Sequence, residues 1–244
     1  MCTVTFIPKP DGFLLAMNRD DRFSRSQTIA PQPHTAGSRS ALYPAEPGGG
    51  TWIGANDAGL ALVLLNWNRP GGKQVRSRGL IIPSLLAAGS LREVSGGLAS
   101  ESLNGTHPFR LIGFSGNERS IREWRWDGRL ASVDLPWEHG HWFSSGLSDE
   151  QAAAQRGADC RQALAEPDAL SLEWVRRLHR SHGPAPGPFS ICAHRETAGT
   201  LSYTEIVALD DSVTMSYTSS SPCQEQPTVI SVLPLRAPGP SLAY

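Results

Sequence analysis

Three things are scarce in this 244-residue chain, and each shortage closes off a class of protein. Cysteine occurs four times, as Cys2, Cys160, Cys192 and Cys223, widely scattered and without paired metal-type spacing. Neither a zinc module nor a disulfide framework is therefore expected, and three of the four read as ordinary buried thiols. Excess charge is missing as well: 22 Lys and Arg face 23 Asp and Glu, for a net charge of −1. That balance gives nucleic acid or an anionic membrane surface no electrostatic reason to bind. No apolar run approaches the roughly 18 residues of a membrane span, and no basic segment followed by an apolar one opens the chain, so a cytoplasmic location is expected. Low-complexity arms, coiled-coil heptads and fixed-period repeats are absent, which leaves an interaction scaffold without positive support. Seven histidines are dispersed, and the His139-x-His141 pair has no nearby carboxylate or cysteine, so no metal and no cofactor is expected.

Glycine and proline are plentiful, 24 and 19, and they punctuate short apolar runs throughout, which reads as one domain over residues 1–244 with an irregular tail from about 234. Cys2 to Ile7 and Phe13 to Met17 flank a Pro-Lys-Pro-Asp-Gly break and read as a hairpin; pairing Ile7 with Phe13 sets Cys2 opposite Asn18, to within a residue or two. The cluster Asn18-Arg19-Asp20-Asp21-Arg22 then lands beside Cys2. Thr51 to Asn56 and Leu60 to Asn66 form a second hairpin around Asp57-Ala58-Gly59, and its second strand, apolar on both faces, needs a layer on each side. The stretch from Ser77 to about Ser100 reads as helical with a break at Gly96-Gly97. Phe109 to Phe114, Ile121 to Trp126 and Arg129 to Leu135 read as an antiparallel meander. Ser148 caps a helix over 151–165, and a second helix is expected over 171–182. Phe189 to His194, Leu201 to Leu209 and Val213 to Thr218 read as closing strands. The segments Pro31 to Gly49 and Asn68 to Arg76 read as loops. Trp124, Trp126, Trp137 and Trp142 suit either core packing or an apolar pocket.

The chemistry turns on Cys2, which stands directly behind Met1. Removal of Met1 would leave a cysteine with a free α-amine, nucleophile and base on one residue, because that amine titrates at about 7.7–8.0. The plain alternative is a cysteine that merely begins a buried strand. A cation such as Arg19 favours thiolate, and a carboxylate, Asp20 or Asp21, can hold the amine or the arginine; alternation lets only one of the two face the site. Asn66, ending a buried strand, suits an oxyanion donor or a turn former. His194 offers a Cys-His reading in which Met1 stays attached.

Met1-Cys2-Thr3-Val4, Asn18-Arg19-Asp20-Asp21, Gly49 to Asn56, Leu65-Asn66-Trp67-Asn68 and Ser77-Arg78-Gly79 resemble, in order and spacing, the NRDE family, which includes the transport-and-Golgi-organisation type proteins. The match is close over about 80 residues and loose beyond; the family motif ends in glutamate where this chain has Asp21. That family is in turn similar to N-terminal-nucleophile hydrolases of the bile-salt-hydrolase and penicillin-acylase type. The resemblance implies an α+β fold, a four-layer αββα sandwich of mostly antiparallel sheets, with cleavage of linear amides. It also implies Asn66 as oxyanion donor, Ser145 in the place of a second asparagine, and Arg195 as a late-strand arginine near the nucleophile.

Two functions stay open. One is a hydrolase of non-peptide C–N bonds or an acyltransferase acting on an amide or thioester, with Cys2, Arg19, Asp20, Asp21, Asn66 and Arg195 as its machinery and Asn18, Trp67, Asn68 and Ser145 as substrate contacts. The other is a non-catalytic carrier of acyl-CoA, lipid or haem on the same fold. Resemblance to multimeric hydrolases implies a homo-oligomer as one possible arrangement.

Overall fold

A computed structural model describes residues 2–25, 27–72, 75–209 and 211–236. In chain order, β1 (Cys2–Lys9), β2 (Gly12–Arg22), β3 (Ile29–Ala36), β4 (Arg39–Ala45), β5 (Ile53–Asn56) and β6 (Leu60–Asn66) precede the helices α1 (Ile81–Leu85) and α2 (Leu91–Ser100). Then come β7 (Phe109–Ser115), β8 (Ser120–Trp126), β9 (Leu130–Leu135), β10 (Gly140–Ser144), α3 (Asp149–Ala163), α4 (Leu172–Arg180), β11 (Ala198–Leu209), β12 (Ser212–Thr218) and β13 (Thr228–Pro234). The strands make two antiparallel sheets, one ordered β10-β1-β2-β11-β12-β13 and the other β3-β4-β5-β6-β7-β8-β9.

Strand alternation explains the layering. Val4, Phe6, Leu15 and Met17 from the first sheet meet Ile53, Val63, Leu65, Ile112 and Phe114 from the second, forming the core between sheets. The opposite faces are apolar too, and each is covered by helices. Leu60, Leu62 and Leu64 pack under Ile81, Ile82, Leu85, Val94 and Leu98, while Ile7, Leu14 and Ala16 pack under Trp174, Val175 and Leu178. Strand β6 is therefore buried on both sides, as its unbroken apolar run requires. The result is the four-layer α+β sandwich. No described helix is long and apolar enough to cross a membrane. Trp137 and Trp142 pack around Phe6 and Phe114 in the inter-sheet core, and Trp124 lies under the α2 layer, so these tryptophans serve packing.

Several expectations need correction. Strand β1 runs through Pro8 and Lys9, Lys9 pairs with Gly12, and the turn shrinks to Pro10-Asp11, so Cys2 faces Arg19 and Thr3 faces Asn18. Gly12 tolerates this because a Cβ there would lie 1.9 Å from the Ala208 carbonyl oxygen. Residues 31–49 are largely the β3–β4 hairpin, with β3 at a sheet edge, where its prolines cost no ladder bond. The helical stretch after Ser77 is a 3₁₀ turn over Arg78–Leu80, then α1, then α2, and Gly96-Gly97 lies inside α2 without breaking it. Residues 189–194 form an irregular segment with a single bridge, His194 to Gly199. Strand β13 was not anticipated, and the expected tail begins ordered: the Leu235 and Arg236 amides donate to the Asp211 and Asp57 carbonyls. The rest of that tail, 237–244, lies outside the described residues, as does Met1. Helices α3 and α4 begin as the caps dictate, with the Ser148 hydroxyl accepting from the Gln151 amide and that of Ser171 from the Trp174 amide.

A buried polar chain joins α4 to the first sheet. Asn18 Nδ2 donates to the carbonyls of His179 and Ile191, both at 2.9 Å, which turns its acceptor Oδ1 toward His179 Nδ1 at 3.1 Å. His179 Nδ1 must then carry the proton, its Nε2 accepts from the Thr5 hydroxyl at 2.9 Å, and that oxygen accepts from His141 Nδ1 at 3.0 Å. Both rings are neutral. Burial, reinforced by the neighbouring His141 and Arg156, lowers His179 from its ordinary 6.5 to about 3, and burial with His139 beside it lowers His141 to about 4. The sign follows: the unfolded chain binds these protons first, so stability present above pH 6.5 is lost as pH falls from 6.5 toward 4. His179 alone contributes about 1.4 kcal/mol per pH unit, about 2 kcal/mol by pH 5. Urea unfolding at pH 7 and pH 5 should show this loss, and His179→Gln should be weaker at pH 7 yet flatter with pH. Equal pH slopes for the two proteins would contradict it.

Candidate active site

Cys2 begins β1, one strand in from the edge of the first sheet, paired with Arg19 on β2 and Ser144 on β10. Opposed residues in an antiparallel pair share a face, so all three side chains turn toward the second sheet. There a cavity of about 120 Å³ opens between the sheets, lined by Cys2, Arg19, Asp20, Asp21, Asn66 and also by Arg25, Glu46, Trp52 and Arg78. Five of the six residues expected to carry chemistry thus border one cavity.

Alternation separates the two aspartates. Asp21 is on the cavity side, its Oδ2 3.2 Å from Arg19 Nη2 and 2.9 Å from Arg25 Nη1. The Asp20 carboxylate turns away into the buried layer beneath α3, where it accepts from Arg156 Nη2 at 3.0 Å and from the Thr200 hydroxyl at 2.7 Å. Arg156 also donates to the Cys2 carbonyl at 3.1 Å and the Thr3 hydroxyl at 2.9 Å, and it is fully enclosed. It holds the backbone of Cys2 and the carboxylate of Asp20 in one geometry.

Arg19 is immobilised from three sides. Its Nη2 lies 2.6 Å from Glu46 Oε1, its Nη1 donates to the Arg25 carbonyl, and its guanidinium stacks 4.4 Å above the Trp52 ring. Arg78 is different: it donates to the Pro108 carbonyl at 2.8 Å, and among the described residues it has no carboxylate partner. Burial lowers its pKa, while the charge of a Cys2 thiolate would raise it. For Cys2 itself burial dominates and pushes the thiol up; the charge of Asp20 adds to this, while Arg19 and the Asp20 backbone N–H, which favours the thiolate, oppose it. Asn66 lies half-buried at the end of β6 and lines the cavity, and its amide makes no hydrogen bond to the described protein groups.

The other expected contacts lie elsewhere. Asn18 is committed to the α4 side of the sheet. Asn68 donates its amide N–H to Asp149 and its side chain to the Leu147 carbonyl, bracing the start of α3, and Trp67 lies under the Arg69 guanidinium. Ser145 accepts from the Leu147 and Ser148 amides, so it shapes the turn into α3. Arg195 follows the irregular 189–194 segment and does not line the cavity; without a strand there, the alternation that would place it has no footing. Its neighbour His194 sits with His182, Cys192 and Cys223; Cys160 and Cys192 are buried as expected, whereas Cys223 is exposed. Sequence reasoning overlooked Arg156, Glu46 and Arg78 as site residues; for Arg78 a signal existed, since Ser77-Arg78-Gly79 was already a recognisable motif.

Comparison places the fold. Conjugated bile acid hydrolase from Clostridium perfringens, solved as the mutant C2A, superposes with a TM-score of 0.63 at 14% identity, covering 96% of this chain and 92% of that one. Penicillin V acylase from Agrobacterium tumefaciens gives 0.59 at 13% identity over 90% and 83%. The N-acylethanolamine-hydrolyzing acid amidase ortholog of Caenorhabditis elegans gives 0.59 at 11% identity over 85% and 93%. At these identities the likeness is one of fold, that of the N-terminal-nucleophile hydrolases. A search of curated protein sequences finds no match. The sequence does match the family described as Transport and Golgi organisation 2 over residues 1–164, the span that carries Cys2, the β2 cluster, Asn66 and Arg78, and the chain belongs to that family.

Proposed function

We propose that this chain is an N-terminal-nucleophile amidohydrolase or acyltransferase, with Cys2 as nucleophile once Met1 is removed. The observation that carries the reading is the meeting of Cys2 with Asn66 and Arg78 in one cavity, on a fold shared with acylases and amidases. In this mechanism the α-amine of Cys2 takes the thiol proton, and Sγ attacks the carbonyl carbon of a linear amide or thioester. The oxyanion accepts from the Asn66 side-chain amide, the protonated amine of Cys2 delivers its proton to the leaving group, and water or another acceptor resolves the acyl-enzyme. Arg19, fixed by Asp21, Glu46 and Trp52, and Arg78 supply positive charge that favours the thiolate.

At the Cys2 cavity, volume favours this over the carrier reading. A cavity of about 120 Å³ is well under the roughly 300–1,000 Å³ of sites that enclose drug-sized ligands. A scissile amide and a short acyl stem fit; haem or an acyl-CoA does not enter it whole.

Brief alkylation followed by peptide mapping tests the premise: Met1 should be absent, and Cys2 should label well ahead of Cys160, whose thiol burial pushes up to about 12. A panel of penicillin V, a conjugated bile acid and an N-acylethanolamine should then yield an acyl adduct on Cys2. Retained Met1, or labelling of Cys2 no faster than that of Cys160, would remove the self-activating nucleophile. Within an active enzyme, Asn66→Ala should lower kcat by about 100–1,000-fold with a much smaller change in KM, the signature of a donor used in the transition state.

A further inference from the structure

Outside the Cys2 cavity, one cluster has no explanation in the chemistry above. His182 lies just past α4, Cys192 and His194 in the irregular segment before β11, and Cys223 in the connection from β12 to β13. One ligand atom from each residue lies within 4.8 Å of all the others. Their sequence separations, such as 12 between His182 and His194 and 29 between His194 and Cys223, match no compact metal motif.

The distances are informative. His194 Nε2 lies 3.0 Å from His182 Nε2, 3.6 Å from Cys192 Sγ and 3.5 Å from Cys223 Sγ. A single imidazole nitrogen has either one hydrogen or one lone pair, so it cannot satisfy three such neighbours by hydrogen bonding. A cation between them can. With metal–sulfur bonds of about 2.3 Å and metal–nitrogen bonds of about 2.0–2.1 Å in a tetrahedron, sulfur and nitrogen ligands sit about 3.6 Å apart and two nitrogens about 3.3 Å apart. Both sulfur–nitrogen distances already meet that figure, and the two ring nitrogens need to part by only a few tenths of an ångström.

We propose that His182, Cys192, His194 and Cys223 form a closed tetrahedral site for zinc, which clamps the irregular 181–197 and 219–227 segments to each other. Two thiolates and two imidazoles with no carboxylate are a donor set for zinc and not for calcium or magnesium, and four protein ligands leave no open position, so the site is structural. Binding breaks two S–H bonds and releases both protons to solvent, and two thiolates with one divalent cation are neutral overall, which suits a half-buried position. The backbone presents the ligands in advance. Cys192 N–H donates to the Ser181 carbonyl at 2.9 Å, and His194 N–H to the Gly187 carbonyl at 3.0 Å. The site is independent of any reaction at Cys2.

The test uses the full chain, purified without a histidine tag and under reductant from zinc-replete cells. Metal analysis should find about one zinc per chain, and exchange into cobalt should give the visible bands of tetrahedral cobalt with a near-ultraviolet thiolate-to-cobalt band. Cys223 should be protected from alkylation about tenfold or more, with protection lost on chelation. Tm should fall on chelation by about 10 °C. Cys192→Ser and Cys223→Ser should lose the zinc, whereas Cys160→Ser keeps it. Should the serine variants not fold, the cobalt spectrum of the unaltered chain decides. Zinc below about a tenth of an equivalent with no tetrahedral cobalt spectrum overturns the proposal. A Cys192–Cys223 disulfide in the freshly isolated protein overturns it as well.

Discussion

Cys2→Ala is expected to lower turnover of any amide or thioester substrate by about 10⁴-fold or more, with the fold unchanged. The size follows from what is removed. No other described side chain in the cavity is a thiol or hydroxyl placed like Cys2; Thr51 and Ser77 also line it, but Thr51 donates its hydroxyl to the Ile53 carbonyl and Ser77 caps the 3₁₀ turn. Loss of Sγ therefore removes the covalent route and leaves only substrate orientation and the Asn66 donor. Stability should change by only about 1 kcal/mol, since the substitution keeps Cβ and deletes one atom. Cys160 supplies the contrast. It lies on α3, packed with Trp174 and Val175 of α4 against the first sheet, so Cys160→Ala should cost stability and leave kcat alone. Full activity in Cys2→Ala would end the nucleophile reading.

The largest stability effect is expected at Arg156. Its ion pair with Asp20 has both side chains fully enclosed at 3.0 Å, and the same guanidinium serves the Cys2 carbonyl, the Thr3 hydroxyl and, through Nε at 3.4 Å, the Phe189 carbonyl. Arg156→Leu keeps bulk but strands a buried carboxylate and removes donors from several acceptors, a loss of about 3–5 kcal/mol. Against a total of about 5–15 kcal/mol this is severe, and Tm should drop by about 10 °C. Adding Asp20→Asn should recover part of the loss, because the group left buried is then neutral. A single variant within about 1 kcal/mol of the parent would show that the pair is not held as described. Arg156 is a positioning residue: a folded Arg156→Lys protein should show a reduced kcat with little change in KM, since Lys retains the charge but cannot span Cys2, Thr3 and Asp20 with one planar group.

The mixture of legible and illegible features in this chain has a physical pattern. Where local periodicity decides, the sequence was sufficient. The Cys2–Arg22 hairpin, the hairpin about Asp57-Ala58-Gly59, the meander after Phe109 and the Ser148 cap of α3 all follow from two-residue alternation, turn residues and capping oxygens, which act within a few positions along the chain. The doubly apolar β6 even announced that layers lie on both sides, and the family resemblance then selected the sandwich. Its β2 cluster landed beside Cys2 because a hairpin constrains its own ends, although the shorter turn shifted the register by one residue and exchanged Asn18 for Arg19.

Tertiary structure decided everything that depends on a strand's place in a sheet or on contact between distant segments. Strand β3 is rich in proline and reads as loop; it pairs only because it occupies an edge, and β13 likewise exists as an edge strand on β12. Alternation left Asp20 and Asp21 equivalent until α3 brought Arg156 across 136 residues to Asp20, leaving Asp21 to the cavity. Arg78 arrives from the 3₁₀ turn and Glu46 from the loop after β4, and the His182, Cys192, His194 and Cys223 cluster forms where two irregular segments cross. No short-range pattern encodes such meetings, because they are fixed by how the layers stack: burying apolar faces in the core brings the polar residues at strand ends and in loops together as a consequence.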